Sequence, residues 1–217
     1  MPGAEHDLRA GLRDLKLDLS DHQVAQLLDY LAMIAKWTKV YNLTAVRDPA
    51  EMMTHHLLDS LAAIAPLQRH LQKTGLEQGS HLLDVGSGAG LPGVVIAICC
   101  PKVAVTCVDT VAKKAAFIKQ AALALKLPNL TGLHARVESI AQPFDVICSR
   151  AFASLSDFTL WSAGALAPGG VWMAMKGKHP ADELAALPKS VEVFHVEQLQ
   201  VPGLHAERCI LWMRAKG

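Results

Sequence analysis

The sequence lacks a disulfide framework, a charge surplus and any long apolar run, and each absence excludes a class of protein. The five cysteines are odd in number and form no Cys-x-x-Cys pair. Four of them sit inside apolar runs, as small buried hydrophobes do, so a reducing, cytoplasmic compartment is expected. Lys and Arg exceed Asp and Glu by 21 − 20 = +1. Residues 1–81 hold 8 basic and 10 acidic groups and residues 82–217 hold 13 and 10, a weak surplus in the second part. So flat a balance suits a small-molecule enzyme as well as a nucleic-acid one. The longest apolar run, residues 91–100, is closed by Pro101 and Lys102, well short of the ~18 residues a membrane span needs. Met1-Pro2-Gly3-Ala4-Glu5-His6-Asp7 is neither basic nor apolar, which predicts no secretory signal. No Gly-Lys-Ser/Thr occurs in a glycine loop, so a nucleoside triphosphate is disfavoured. No repeat or low-complexity tract is present.

What remains is a chain of 217 residues, 51% hydrophobic and 19% charged, too apolar for disorder. Its length suits one large domain, or one domain with an extension, that buries roughly 70% of its surface. The first eighty residues carry helical signals. Ser20 and Gln23 form a capping box ahead of Val24, Leu27, Leu28, Leu31 and Ile34 at helical spacing. Asp48-Pro49-Ala50-Glu51 opens a second helix, with an acid at the cap and proline at the first helical position, predicted to run to about Pro66. Tyr41-Asn42-Leu43-Thr44 is predicted as a turn, and residues 72–80 as a linker.

From His81 the period changes. Strands are predicted at 81–85, 103–108, 130–137, 144–149, 170–175, 191–196 and 209–213, with helices at about 91–100, 111–126 and 155–166. Alternation of this kind predicts an α/β fold with a doubly wound, mostly parallel sheet. No crossover helix fits between the closing pair, so the last strand is predicted to enter antiparallel. The division that follows is a helical extension, 1–80, and an α/β domain, 81–217.

The densest chemical signal is Leu83-Asp84-Val85-Gly86-Ser87-Gly88-Ala89-Gly90-Leu91-Pro92-Gly93, at a strand-to-helix junction. Its glycines permit a tight turn and close approach of a ligand. A dinucleotide fingerprint needs glycine where Leu91 stands, and Gly90 comes one residue early. Asp84 suits a ligand with an amino group better than a pyrophosphate. Asp109 ends the second strand, where a carboxylate beside the glycine turn can take two ribose hydroxyls. It can also cap the helix starting near Val111, and the two roles are compatible. Acid, glycine turn and strand-end aspartate together resemble motifs I and II of the class I S-adenosylmethionine methyltransferases.

Further segments narrow the resemblance: Asn42-Leu43-Thr44-Ala45, His56-Leu57-Leu58-Asp59-Ser60, Arg136-Val137-Glu138, Ser149-Arg150-Ala151-Phe152-Ala153, Met175-Lys176-Gly177 and Leu199-Gln200-Val201-Pro202. In this order, over roughly residues 20–214, the chain resembles the bacterial 16S rRNA guanine-N(7) methyltransferase family, also called glucose-inhibited division protein B. The resemblance implies a seven-stranded class I methyltransferase sheet and S-adenosyl-L-methionine as cofactor. It further implies methyl transfer by in-line displacement to one guanine of 16S rRNA, number 527 in customary numbering, in the 30S subunit or its precursor. Cofactor contacts are implied at Gly86, Leu91, Val137, Glu138 and Arg150, beside Gly88 of the turn and Asp109. The chain departs from the family at Cys209, where histidine commonly follows Glu-Arg.

Guanine N7 carries a lone pair and no proton, so its methylation requires alignment rather than a base, and no catalytic residue is expected. Because the purine becomes positively charged, a nearby carboxylate or carbonyl would help. Cys148-Ser149-Arg150-Ala151-Phe152 replaces the Asp/Asn-Pro-Pro-aromatic sequence of amino-directed enzymes, and Cys148, mid-strand, reads as a buried structural thiol. Arg150 either contacts cofactor or RNA phosphate or pairs with Asp145 or Asp157. Phe152 either stacks on the target base or belongs to the core. Lys176, Lys178 and Arg208 are candidate phosphate contacts, against solvated surface for the two lysines. Adjacent His55 and His56 cannot face one another on a helix, so no metal site is expected, and His56 with Asp59 reads as a local contact or as a family feature without an assigned role. Two other functions fit the composition: a small-molecule S-adenosylmethionine-dependent methyltransferase, and a cofactor-binding module without turnover.

Overall fold

A computed structural model describes residues 2–216 of the chain. The amino-terminal part begins with α1 (Pro2–Asp14) and the long α2 (Asp21–Tyr41). The capping box forms: Ser20 Oγ accepts from the Gln23 amide at 3.3 Å, and Gln23 Oε1 accepts from the Ser20 amide at 3.0 Å. Asn42, at φ 50°, closes the helix in the left-handed region, in the predicted turn.

The predicted helix from Asp48 to Pro66 is broken into pieces. Asp48 Oδ1 accepts from Ala50 N (2.8 Å) and Glu51 N (3.1 Å) and starts α3 (Pro49–Met52). The chain then widens into a π-helical turn, Met53–Leu58, before α4 (Asp59–Leu61). After Ala62 and Ala63 it restarts as α5 (Ile64–Thr74), so Pro66 lies in a first turn rather than at an end. A first-turn proline gives up an N–H that would lack a helical partner anyway, which is why this one does not terminate the helix.

Seven strands follow: β1 (His81–Val85), β2 (Ala104–Asp109), β3 (Leu130–His134), β4 (Phe144–Arg150), β5 (Leu166–Lys176), β6 (Val191–Leu199) and β7 (Arg208–Ala215). Between them lie α6 (Gly93–Cys99), α7 (Ala112–Ala124), α8 (Leu155–Ser162) and α9 (Ala181–Ala185), the last too short to leave a period in the sequence. The sheet order is β3-β2-β1-β4-β5-β7-β6. β1 to β5 pair in parallel, and β7 is antiparallel to both β5 and β6, as the absence of a crossover helix predicts. β3 ends at His134, not Val137, because Val137–Ser139 turn into a short 3-10 helix. The order reverses on either side of β1, and the crevice at such a switch point is where open α/β sheets bind ligands.

Each face of the sheet is covered. On one, α6 and α7 pack against the inner stripe of α2 (Val24, Leu27, Tyr30, Ile34) and against Leu61, Ile64 and Leu67 in one apolar cluster. On the other, Leu155 and Phe158 of α8 close over Leu83, Ile147 and Trp172. The helical extension therefore shares a core with the sheet layer. No described helix is long and apolar enough to cross a membrane. All five cysteines are buried free thiols.

Candidate active site

The glycine turn is held from three directions. Gly86, Gly88 and Gly90 have φ of 64°, 58° and 87°, the left-handed region that side chains disfavour. Ser87 O accepts from the amides of Gly90 (2.7 Å) and Leu91 (3.0 Å), which closes the loop. Below it, Asp84 is fully buried, and its Oδ2 accepts from the Gly93 amide at 2.8 Å. Burial, opposed by that hydrogen bond, pushes its carboxyl up to about 7, and Oδ1 has no partner. This corrects the amino-group expectation: Asp84 ties β1 to α6 from beneath the turn and does not line the cleft.

Asp109 stands beside the turn, where its strand-end position puts it, with both oxygens in use. Oδ2 accepts from the Gly88 amide (2.9 Å) and Oδ1 from the Val111 amide (2.8 Å), with Lys114 Nζ at 3.7 Å. The same carboxylate thus holds the loop and the segment leading into α7. The third hold was not legible in the sequence. Tyr30 of α2 is fully buried and donates to Ala89 O at 2.7 Å, so the extension is bolted to the loop.

A cleft of about 460 Å³ opens above the turn, at the carboxyl ends of the parallel strands. Among the expected residues, Gly86, Gly88, Leu91, Arg150, Lys176 and Arg208 line it together. Asp109, Val137, Glu138, Phe152 and Lys178 lie outside its lining. Val137 is buried, and Glu138 and Lys178 are exposed. Phe152 is half-buried, edge-on to Phe158 and Trp161, and its ring lies so close to Gly86 that a Cβ there would come within 2.3 Å. That packing favours the core reading of Phe152 over base stacking. Lys176 Nζ, expected either at an RNA phosphate or in solvent, is engaged by Glu183 (2.8 Å) and Ala153 O (3.1 Å), which neutralises much of its charge.

Arg150 does not pair with Asp145 or Asp157, which bind the His81 amide and Ser154. Its Nη1 donates to Asp59 Oδ2 (2.8 Å) and His55 O (2.7 Å), and Arg208 Nε donates to Asp59 Oδ1 (2.9 Å). His56 is buried and bonds Thr44 Oγ1 through Nε2 at 2.8 Å. Burial, and then the positive Arg150, hold its ring down at about 4, so it is neutral at physiological pH. No hydrogen bond joins His56 to Asp59; each has its own partners, and Asp59 acts on His56 through its charge. The π-helical turn delivers both residues to the cleft, and such turns recur at functional sites. Cys148 is fully buried, and burial pushes its thiol well up, away from nucleophilic use. No group of three His, Cys, Asp or Glu able to hold a metal occurs among the described residues.

The lining fits a nucleoside carrying an amino-acid tail. A Cβ at Gly88 would meet nothing within 4 Å, so the turn's backbone is open to close approach. A guanidinium stands at one side for a carboxylate; the acid beside the turn, Asp109, is 5% exposed and holds the loop rather than lining the cleft. The volume lies in the range of small-molecule sites.

Comparison with known proteins shows the family of the chain. The model of the family described as "GidB: rRNA small subunit methyltransferase G" matches residues 23–211. A Polaromonas protein (strain JS666) named ribosomal RNA small subunit methyltransferase G is 81% identical, covering 100% of this chain and 96% of its own. A relative of the same name from Acidovorax ebreus is 69% identical over 97% of this chain and 95% of its own. Among solved structures, a SAM-dependent methyltransferase from Aquifex aeolicus superposes with a TM-score of 0.55 at 20% identity, over 76% of this chain and 98% of that one. Another from Thiobacillus denitrificans, in complex with S-adenosyl-L-homocysteine, gives 0.52 at 14%, over 70% and 90%. At these identities the solved structures speak for the fold alone.

Proposed function

The chain belongs to the GidB family, rRNA small subunit methyltransferase G, and from that premise we propose that it methylates N7 of one guanine of 16S rRNA with S-adenosyl-L-methionine. The target is guanine 527, presented by the 30S subunit or its precursor in the cytoplasm. The observation that carries this reading is a single cleft at the sheet's switch point, bounded by the glycine turn on one side and two arginines on the other.

Within the cleft, Gly86, Gly88 and Leu91 offer backbone to the cofactor, and Arg150 faces its carboxylate end. Asp109 holds Gly88 in place and is the acid beside the turn assigned to ribose hydroxyls, and Val137 and Glu138, in the 3-10 turn after β3, are assigned to the cofactor from the family resemblance. When bound, the cofactor supplies a methyl group on a sulfonium centre. The chain supplies alignment, which can lower a barrier by ~7–11 kcal/mol. Guanine N7 has no proton to lose, and the neutral His56 has none to take. Among the described residues lining the cleft, Asp59 is the one carboxylate, and it offsets two guanidiniums that would otherwise oppose positive charge on the purine. Arg208 and the exposed Lys178 are assigned to RNA phosphate. Residues 1–80 form the extension that walls the cleft, and 81–217 the transferase domain.

The test is incubation with labelled S-adenosylmethionine and unmodified 30S subunits, followed by mass-spectrometric mapping. Label on N7 of guanine 527 is expected. Bound cofactor with that nucleotide unmodified, or methylation of small molecules without RNA, removes the proposal.

A further inference from the structure

Asp59 is only 3% exposed, yet it touches side chains from two distant strands at once. Its Oδ2 takes Arg150 from the end of β4, and its Oδ1 takes Arg208 from the start of β7. The side chains of these arginines are 18% and 22% exposed, and both line the cleft. Arg150 bonds through Nη1 alone, and Arg208 through Nε and Nη1, the latter to Glu207 O. Among the described residues, Nη2 of neither arginine makes a hydrogen bond, so each fork keeps donors for an oxyanion. A carboxylate so used costs anion affinity through its charge but fixes two long, otherwise mobile side chains.

We infer that Asp59 is a positioning residue shared by two binding events, one oxygen aiming Arg150 at the cofactor's carboxylate and the other aiming Arg208 at an RNA phosphate. The inference rests on the ligands assigned above and adds the residue that links their sites. It assigns opposite consequences to charge and to geometry. Were charge all that mattered, removing the carboxylate would tighten both anionic ligands. If aim matters more, removing it weakens both.

The experiment uses Asp59→Asn, which keeps the shape but turns an amide N–H₂ toward one guanidinium. S-adenosylhomocysteine binding is followed by calorimetry and 30S binding by filter retention, with folding checked by circular dichroism. Asp59→Asn is expected to raise both dissociation constants, each at least fivefold, in the usual range for coupled sites. Arg150→Gln should weaken homocysteine-nucleoside binding alone, and Arg208→Gln 30S binding alone. Asp59→Asn added to Arg208→Gln should weaken 30S binding no further, because it acts through that arginine. A folded Asp59→Asn protein with either affinity unchanged or tighter overturns the inference, as do additive effects. If Arg150→Gln and Arg208→Gln themselves leave both affinities intact, the ligand assignment fails first and the inference goes with it. Should Asp59→Asn not fold, arginine side-chain ¹⁵N spectra of the wild-type protein carry the same test. S-adenosylhomocysteine must then move the Arg208 resonances as well as those of Arg150, and shifts confined to Arg150 overturn the shared role.

Discussion

Gly86 and Gly88 have nearly the same φ and different surroundings, which separates backbone strain from packing. At either position alanine takes on a left-handed conformation costing about 1–2 kcal/mol. At Gly88 the new methyl meets open space, whereas at Gly86 it drives into the Phe152 ring, itself packed on Phe158 and Trp161. Gly86→Ala should therefore be less stable than Gly88→Ala by at least about 1 kcal/mol in urea denaturation, and equal midpoints would show the ring yielding freely. A second residue-scale expectation concerns two buried groups with opposite proton linkage. His56 titrates near 4 folded and 6.5 unfolded, so between those values the unfolded chain holds the extra proton and stability rises with pH. Asp84 titrates near 7 folded and 3.8 unfolded, so over almost the same window the folded chain holds the extra proton and stability falls with pH. Each contributes a slope of about 1.4 kcal/mol per pH unit at most, and the two nearly cancel. The stability of Asp84→Asn relative to wild type should climb from pH 4 to pH 7, and that of His56→Gln should decline from pH 4 to 6.5. Flat differences across the window would contradict both assignments.

At the scale of the element, α2 does two separable things along its length. Its amino end is closed by the Ser20 box, and ten residues on, about 15 Å along the axis, Tyr30 reaches the glycine turn. Ser20→Ala should cost about 1 kcal/mol of stability and leave S-adenosylhomocysteine affinity unchanged. Tyr30→Phe deprives the buried Ala89 carbonyl of its donor, costs about 1–2 kcal/mol, and should also weaken nucleoside binding. Calorimetry of the two variants side by side decides it, and equal loss of affinity would show that α2 acts as one rigid strut. The segment from α3 to α5 teaches a different lesson. Its apolar residues still read as one helix because the phase shift of ~100° from a residue inserted by the π-helical turn is no larger than the width of an apolar stripe, so the widening that brings His56 and Asp59 into the cleft is hidden in the period.

Considered whole, the molecule is organised around contacts between its first eighty residues and its sheet layer. Gln23 Nε2 donates to Ile98 O, Gln26 Nε2 to Leu125 O, and Asp59 joins β4 to β7 from outside the sheet. The apolar cluster runs through both parts without a gap. A fragment of residues 81–217 is thus expected to lose its cooperative thermal transition, because α6 and α7 would face water. A sharp melt together with undiminished S-adenosylhomocysteine affinity would show instead that the extension is dispensable.

The amino-acid sequence by itself determined the strands and their direction, the glycine turn and the acid beside it. Those features depend on neighbours in the chain: period two against 3.6, a capping side chain three residues from its amide, glycine where φ is positive. Only the tertiary structure decided which charged groups meet. Asp59 and Arg208 are 149 positions apart, and Arg150's partner lies 91 residues before it rather than at the nearer Asp145 or Asp157. It also decided that Asp84 is sealed under the turn and that Phe152 leans on Gly86. Pairing and burial of this kind follow from how helices and sheet close on one another, and spacing along a chain carries no record of that closure.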